Sequence, residues 1–248
     1  MSEPSYLKRG GDRLAYLKRN GIEPGVVWLG GFMSDMTGTK AQAVDAWAAR
    51  AGLACLRFDY SGHGRSSGVF TDGTISRWRD DALAVIDAQS RGPQILVGSS
   101  MGGWIAMLVA RLRPVAGLVL IAPAADMTEL LMWRRMPEEV RREIMEQGVW
   151  LRRSEYGDGP YPITRALIED GRSNLILGET ISLSCPVRIL QGMADPDVPW
   201  QHAMKLADMI EGDVAMTLVK NGDHRLSTPS DIRLLERMLD ALVEDAKI

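Results

Sequence analysis

The sequence predicts an α/β fold: a mainly parallel central sheet, helices on both of its faces and a small helical cap. Three observations lead to it. Short apolar runs such as Val26–Leu29, Ile95–Val97 and Gly117–Ile121 recur along the chain, separated by segments of helical periodicity. Strands that are apolar at every position must be covered on both faces, as in a parallel sheet between helices. Within residues 95–110, ILVGSSMGGWIAMLVA, one such run breaks into a glycine-rich turn and becomes an apolar segment long enough for a helix. The rhythm then lapses from 124 to 182, an interval longer than a plain sheet–helix connection requires.

Tyr6–Lys8 and Leu14–Lys18 read as two short strands about the turn Gly10-Gly11-Asp12. Val26–Leu29 is the first apolar strand and runs into Gly30-Gly31-Phe32. From Thr39 to Ala51, the positions Ala41, Val44, Trp47, Ala48 and Ala51 form a helical stripe closed by Gly52. Leu53–Phe58 is strand-like and leads into the loop Asp59-Tyr60-Ser61-Gly62-His63-Gly64-Arg65-Ser66; Ser76–Ala88 returns to helix. After residues 95–110, Gly117–Ile121 is another buried strand.

Amphipathic pieces at Met127–Arg135, Pro137–Met145 and Ile163–Gly171 then predict a helical cap, residues 124–182, above the carboxyl ends of the strands. It is an insertion within a single domain spanning 1–248. Its Met127, Met132, Trp133, Met136, Met145 and Trp150 supply either ordinary packing or the wall of an apolar pocket. The rhythm resumes with strand Val187–Leu190, helix Pro199–Ile210, strand Ala215–Val219 and helix Pro229–Val243. Thr228 as cap, Pro229 at the first helical position and Asp231 three after the cap mark the start of that last helix.

With 248 residues the chain can bury one sizeable core. Apolar residues at 46% against 25% charged exclude a disordered chain. The net charge of −3 comes from 29 basic and 32 acidic residues that are well mixed, so no nucleic-acid partner is expected. No run reaches the length of a membrane span, and the opening MSEPSYLKRGGDR has no apolar signal core, so no integral membrane association is expected. Cys55 and Cys185 stand far apart and make neither a disulfide framework nor a metal signature. The cysteine usage and the lack of an export signal point to the cytoplasm; no Walker sequence, dinucleotide fingerprint or zinc ligand set is found, so a site without metal or cofactor is expected.

Gly98-Ser99-Ser100-Met101-Gly102 is a G-x-S-x-G sequence in the strand–turn–helix context of a nucleophile elbow. Such a turn holds its nucleophile in strained backbone, and side chains two residues away would collide with neighbouring elements, hence the glycines. A serine hydroxyl needs an imidazole to take its proton, and the imidazole needs an acceptor to fix its tautomer. Of the three histidines, His63, His202 and His224, the last follows strand Ala215–Val219 and emerges at the sheet edge that carries Ser100. His202 falls in a helix and reads as a surface residue; His63 reads as loop structure or pocket rim. For the acid, Asp195 in the loop after Val187–Leu190 is preferred to Asp197, a candidate helix N-terminal residue, and to Asp126. Met101 N–H and Phe32 N–H are the expected oxyanion donors.

The chain resembles the α/β-hydrolases with a small cap, and within them the mitochondrial palmitoyl-protein thioesterase and mycophenolic acid acyl-glucuronide esterase subfamily. The resemblance rests on Gly30-Gly31-Phe32-Met33-Ser34-Asp35-Met36-Thr37-Gly38-Thr39-Lys40-Ala41, on Arg57-Phe58-Asp59-Tyr60-Ser61-Gly62 with Gly64 and Ser66, on residues 92–104, and on Gly192-Met193 with Asp195, Val198, Pro199 and Trp200. It implies Ser100, Asp195 and His224 as a catalytic triad, with Phe32 and Met101 as oxyanion donors. Many α/β-hydrolases carry His-Gly at the oxyanion turn, where this chain has Gly30-Gly31.

The expected reaction is hydrolysis of a carboxylic ester or thioester through an acyl-serine. Long-chain acyl thioesters or acyl glucuronides are the substrates implied, and a small acyl ester or an acylated protein the partner. Carbon–carbon bond hydrolysis on the same fold and a non-catalytic scaffold are the alternatives. Arg134 or Arg135 could suit a glucuronide carboxylate, but each is expected to be a solvated surface residue.

Overall fold

The structure, a computed structural model, describes residues 3–152 and 160–245. Its central sheet has eight strands in the order β1 (Ser5–Arg9), β2 (Asp12–Arg19), β4 (Leu53–Phe58), β3 (Ile22–Leu29), β5 (Ile95–Ser99), β6 (Gly117–Ile121), β10 (Val187–Gly192), β12 (Val214–Val219). β1 pairs with β2, and β2 with β4, antiparallel. Every pairing from β4 across to β12 is parallel. The hairpin of charged strands at one edge therefore precedes a parallel body.

Alternate residues of the apolar strands feed two separate cores, which explains why these strands show no polar alternation. Val27, Leu29, Leu96, Leu118 and Leu120 pack on one face with α2 (Ile75–Gln89), α3 (Met101–Ala110) and α6 (Trp200–Met209). Val26, Trp28, Ile95, Val97 and Val119 pack on the other with α1 (Thr39–Ala51) and α7 (Pro229–Asp245). At the start of α7, Asp231 Oδ2 accepts the Thr228 N–H at 3.0 Å and Thr228 Oγ1 accepts the Asp231 N–H at 3.3 Å, a reciprocal cap.

Between β6 and β10 lies the insertion. A π-helical turn, Met127–Met132, runs into a 3₁₀ turn, Trp133–Arg135, followed by α4 (Glu138–Gln147). An antiparallel pair, β7 (Val149–Arg152) and β8 (Tyr161–Thr164), and α5 (Arg165–Arg172) complete it. The sequence reading of helix from Ile163 is displaced by two residues, because Ile163 pairs with Trp150 in the hairpin. Thr164 then caps α5 by accepting the Leu167 N–H at 3.1 Å. Four-residue strands offer too short an alternation to be read as a hairpin.

The path into and out of the insertion meets at one side chain. Asp126, buried after β6, accepts the N–H groups of Ile176 and Leu177 at 2.8 and 2.9 Å. Further on, β9 (Ile181–Ser182) pairs with β11 (Ile210–Glu211) before β10 returns the chain to the sheet.

Candidate active site

β5 ends at Ser99, α3 starts at Met101, and Ser100 between them has φ 55° and ψ −119°. That conformation costs about 1–3 kcal/mol in a non-glycine residue and persists only where its surroundings enforce it. Here the Ser100 N–H donates to Ile121 O at 2.9 Å, and Ser100 O accepts from Gly103 and Ala124 N–H at 2.9 and 3.1 Å. A β-carbon on Gly98 would lie 2.3 Å from Gly102 O, and one on Gly102 would lie 2.1 Å from Leu29 O. The glycines are thus the condition under which strand, helix and neighbouring β3 close on the turn.

The acid and the histidine arrive from β10 and β12, adjacent and parallel. Their loops interlock: Ala194 N–H donates to Gly222 O at 2.9 Å, and a β-carbon on Gly192 would meet that oxygen at 2.3 Å. His224 Nδ1 lies 2.8 Å from Asp195 Oδ2, and His224 Nε2 lies 3.1 Å from Ser100 Oγ. The structure brings Ser100, Asp195 and His224 into one hydrogen-bonded line although 124 positions separate its ends. Since the carboxylate can only accept, Nδ1 carries a proton and Nε2 presents its lone pair to the hydroxyl.

Asp195 has a buried side chain whose two oxygens are fully engaged. Oδ1 accepts from Asp197 and Val198 N–H, both at 2.9 Å, and Oδ2 accepts from Gln191 Nε2 at 3.2 Å as well as from His224. Asp195, Asp197 and His224 have ligand atoms within 4.8 Å of one another. The bonds that occupy Asp195 suit it to orienting an imidazole rather than to binding a cation. Gln191, buried behind the acid, escaped sequence reading; its place at the end of an apolar strand is the one signal that marks it.

On the other side of the serine, the Phe32 N–H and Met101 N–H donate to no hydrogen bond among the described residues. Met101 opens α3, where helical N–H groups lack internal partners. Gly31 backs onto the elbow so closely that a β-carbon would be 3.3 Å from Ser99 O.

The other candidates sit elsewhere. His202 is not a surface residue: half-buried, it donates from Nε2 to Ala125 O at 2.7 Å, and burial holds its pKa below the usual range. His63 is 3% exposed and lies behind the loop that carries Phe32, not on a rim. Asp126 supports the insertion, and burial raises its pKa. Asp197 precedes α6 without capping it and faces Arg152 at 3.9 Å.

A cavity of about 660 Å³ opens over Ser100 and His224. Phe32, Met127, Leu131, Met132 and Trp150 give it an apolar wall, while Lys40, Arg135 and Arg152 add positive charge elsewhere on its lining. Both arginines are exposed: Arg135 stands at the cavity lining and donates to Asp197 O at 3.3 Å, and Arg134 pairs with Glu129. Of the aromatic and methionine residues of the insertion, Trp133 turns away and takes Arg172 over its ring at 4.8 Å, and Met145 is exposed.

The fold and this site define a class: the chain belongs to the alpha/beta hydrolase family, which it matches over residues 25–233. It is 40% identical over 235 residues to the human protein named palmitoyl-protein thioesterase ABHD10, mitochondrial, covering 93% of this chain and 76% of that one. It is also similar to two solved structures. The mouse alpha/beta hydrolase domain-containing protein 10 superposes with a TM-score of 0.90 at 38% identity, covering 98% of this chain and 99% of that one. A protein of Agrobacterium vitis S4 described as a candidate hydrolase superposes with a TM-score of 0.92 at 47% identity, with 97% of each chain covered.

These relatives correct one expectation. The human, bovine and mouse proteins are named as mitochondrial, which overturns the cytoplasmic reading. That reading rested on sparse cysteines and on an opening stretch without a recognisable targeting signal, and sparse cysteines do not distinguish one reducing compartment from another. Among the described residues, no helix is long and apolar enough to cross a membrane.

Proposed function

We propose that this protein hydrolyses carboxylic esters or thioesters through an acyl-serine intermediate. The observation that carries the proposal is the line Asp195–His224–Ser100, with contacts of 2.8 and 3.1 Å, at a strained elbow beneath a partly apolar cavity. His224 Nε2 takes the proton of Ser100 as Oγ attacks the acyl carbon. Asp195 holds the imidazole in the required tautomer and stabilises its charged form. Negative charge that develops on the acyl oxygen meets the two free N–H groups of Phe32 and Met101. As the tetrahedral species collapses, His224 delivers its proton to the departing alcohol or thiol. A water then gives a proton to His224 and attacks the acyl carbon; collapse releases the carboxylic acid and returns the proton to Ser100.

The apolar wall formed by Phe32, Met127, Leu131, Met132 and Trp150 is the acyl subsite, and residues 124–182 act as the cap that shapes it. The name of the human relative favours thioesters, with a palmitoylated protein as the partner to test first. The chemistry of the three side chains serves both leaving groups, so substrate choice rests with the cavity.

The test is a chain-length series of matched acyl esters and acyl-thioesters, run on the wild type and on Ser100→Ala, with fluorophosphonate labelling alongside. Activity and labelling that both vanish in Ser100→Ala are expected. Turnover that survives in the variant would overturn the assignment of the nucleophile.

A further inference from the structure

The glycine-rich loop after β4, residues 59–66, takes no part in the chemistry above, yet it carries a histidine sealed inside the protein. His63 is enclosed by the rings of Phe70 and Trp78, each with its centroid at 5.0 Å, and of Tyr60 at 5.5 Å. Its Nδ1 lies 3.3 Å from Ser61 O, and its Nε2 accepts the Met33 N–H at 3.3 Å. These partners admit one protonation state. A carbonyl can only accept, so Nδ1 bears the hydrogen; an amide N–H can only donate, so Nε2 is a lone pair. Burial supports the same state by lowering the imidazole pKa to about 4.

Met33 follows Phe32 directly and has φ 55°, a left-handed conformation that a methionine does not hold by itself. The Met33 N–H belongs to the peptide next to the one that presents the Phe32 N–H. A second acceptor from the same loop, Asp59 Oδ1, takes the Met36 N–H at 2.7 Å. Gly64 makes this approach possible, since a β-carbon there would lie 2.2 Å from Asp59 Oδ2. Two acceptors from residues 59–66 thus hold the loop of residues 32–36 from behind.

We propose that His63 is a positioning residue for the oxyanion site: by accepting the Met33 N–H it fixes the turn that aims the Phe32 N–H at the developing charge. This inference rests on the hydrolase reading above. It assigns His63 a part in the transition state without contact with substrate, and it explains why an imidazole is buried 3% exposed among aromatic rings.

The experiment compares His63→Leu, which fills the space without an acceptor, with His63→Gln, whose Oε1 can replace Nε2. For the leucine variant kcat should fall on the order of tenfold to a hundredfold with KM little changed, as expected when a donor is misplaced by a fraction of an ångström. Binding of a tetrahedral boronate analogue should weaken by the same factor, and the glutamine variant should recover most of both. A purely structural role predicts instead that both variants lose thermal stability with kcat unmoved, and that result overturns the proposal.

Should the leucine variant fail to fold, amide exchange of Met33 in the wild type decides: protection supports the hydrogen bond, and exchange at the rate of an exposed loop overturns it. If the wild type shows no labelling at Ser100, the hydrolase reading falls and this one with it. If Ser100 is labelled and the variants match wild type, only the role of His63 falls.

Discussion

Gly102 faces the main chain of Leu29 at a distance that leaves no room for a side chain; a β-carbon on it would stand 2.1 Å from Leu29 O and 2.5 Å from Gly30 O. Those atoms are main chain at the end of β3 and cannot swing aside. Gly103, the next residue, has more room, with Pro123 Cβ at 3.1 Å and Pro123 Cα at 3.2 Å. Gly102→Ala is expected to destabilise the protein by about 3 kcal/mol or more. Gly103→Ala should cost about 1 kcal/mol or less, because the gain in helix propensity offsets the crowding. Urea denaturation of the two variants measures the difference, and equal losses would contradict the packing described here.

Asp195 accepts four hydrogen bonds, and an amide in its place can accept on one side only. Asp195→Asn should keep the fold but present the wrong group to His224 Nδ1. A fall in kcat of about 10³–10⁴ with KM nearly preserved is the expected outcome in steady-state kinetics.

Asp59 gives a pH signature of stability. Burial raises its pKa from 3.8 to about 6, against the opposing hydrogen bonds from Arg65 and Met36 N–H. A carboxyl whose pKa is higher folded than unfolded binds a proton more readily in the native state. Its contribution to stability is therefore full below about pH 4, declines as pH rises to about 6, and is constant beyond. The displacement corresponds to about 3 kcal/mol. Asp59→Asn removes this titration, so the difference in unfolding free energy between variant and wild type should change across pH 4–6 and stay flat from 7 to 8.

Trp150 forms part of the apolar wall. Trp150→Ala should lower kcat/KM about tenfold for acyl chains long enough to reach it and leave acetyl esters unaffected. A uniform loss across the chain-length series would place the acyl group elsewhere.

Loss of Asp126 should loosen the insertion selectively. Two buried N–H groups, of Ile176 and Leu177, depend on its carboxylate. Asp126→Ala is expected to destabilise by about 3 kcal/mol and to speed amide exchange first at those two residues, before the central strands.

The sheet was legible because the runs Val26–Leu29, Ile95–Val97 and Gly117–Ile121 within its inner strands are apolar throughout, and the elbow because its glycines answer to specific collisions at Gly98 and Gly102. Asp195 and His224 could be found from their order after Ser100 and their place behind successive strands. The loop contacts at Gly192 and Gly222 that join them could not, since nothing local marks two loops as neighbours. The antiparallel pair Val149–Arg152 and Tyr161–Thr164 stayed hidden because each strand has only four residues. Burial of His202 and His63 escaped notice for a related reason: each has a main-chain partner far away in sequence, Ala125 and Met33, and periodicity carries no trace of such pairs.

The single carboxylate of Asp126 fastens the outgoing chain to the returning one, fifty residues later. The insertion meets the body of the fold at a second place as well, where Asp170 Oδ2 accepts the Ser76 N–H at 2.8 Å and Asn174 O accepts from Trp104 Nε1 at 3.1 Å. A replacement segment would have to keep Asp126, Asp170 and Asn174 to preserve these anchors.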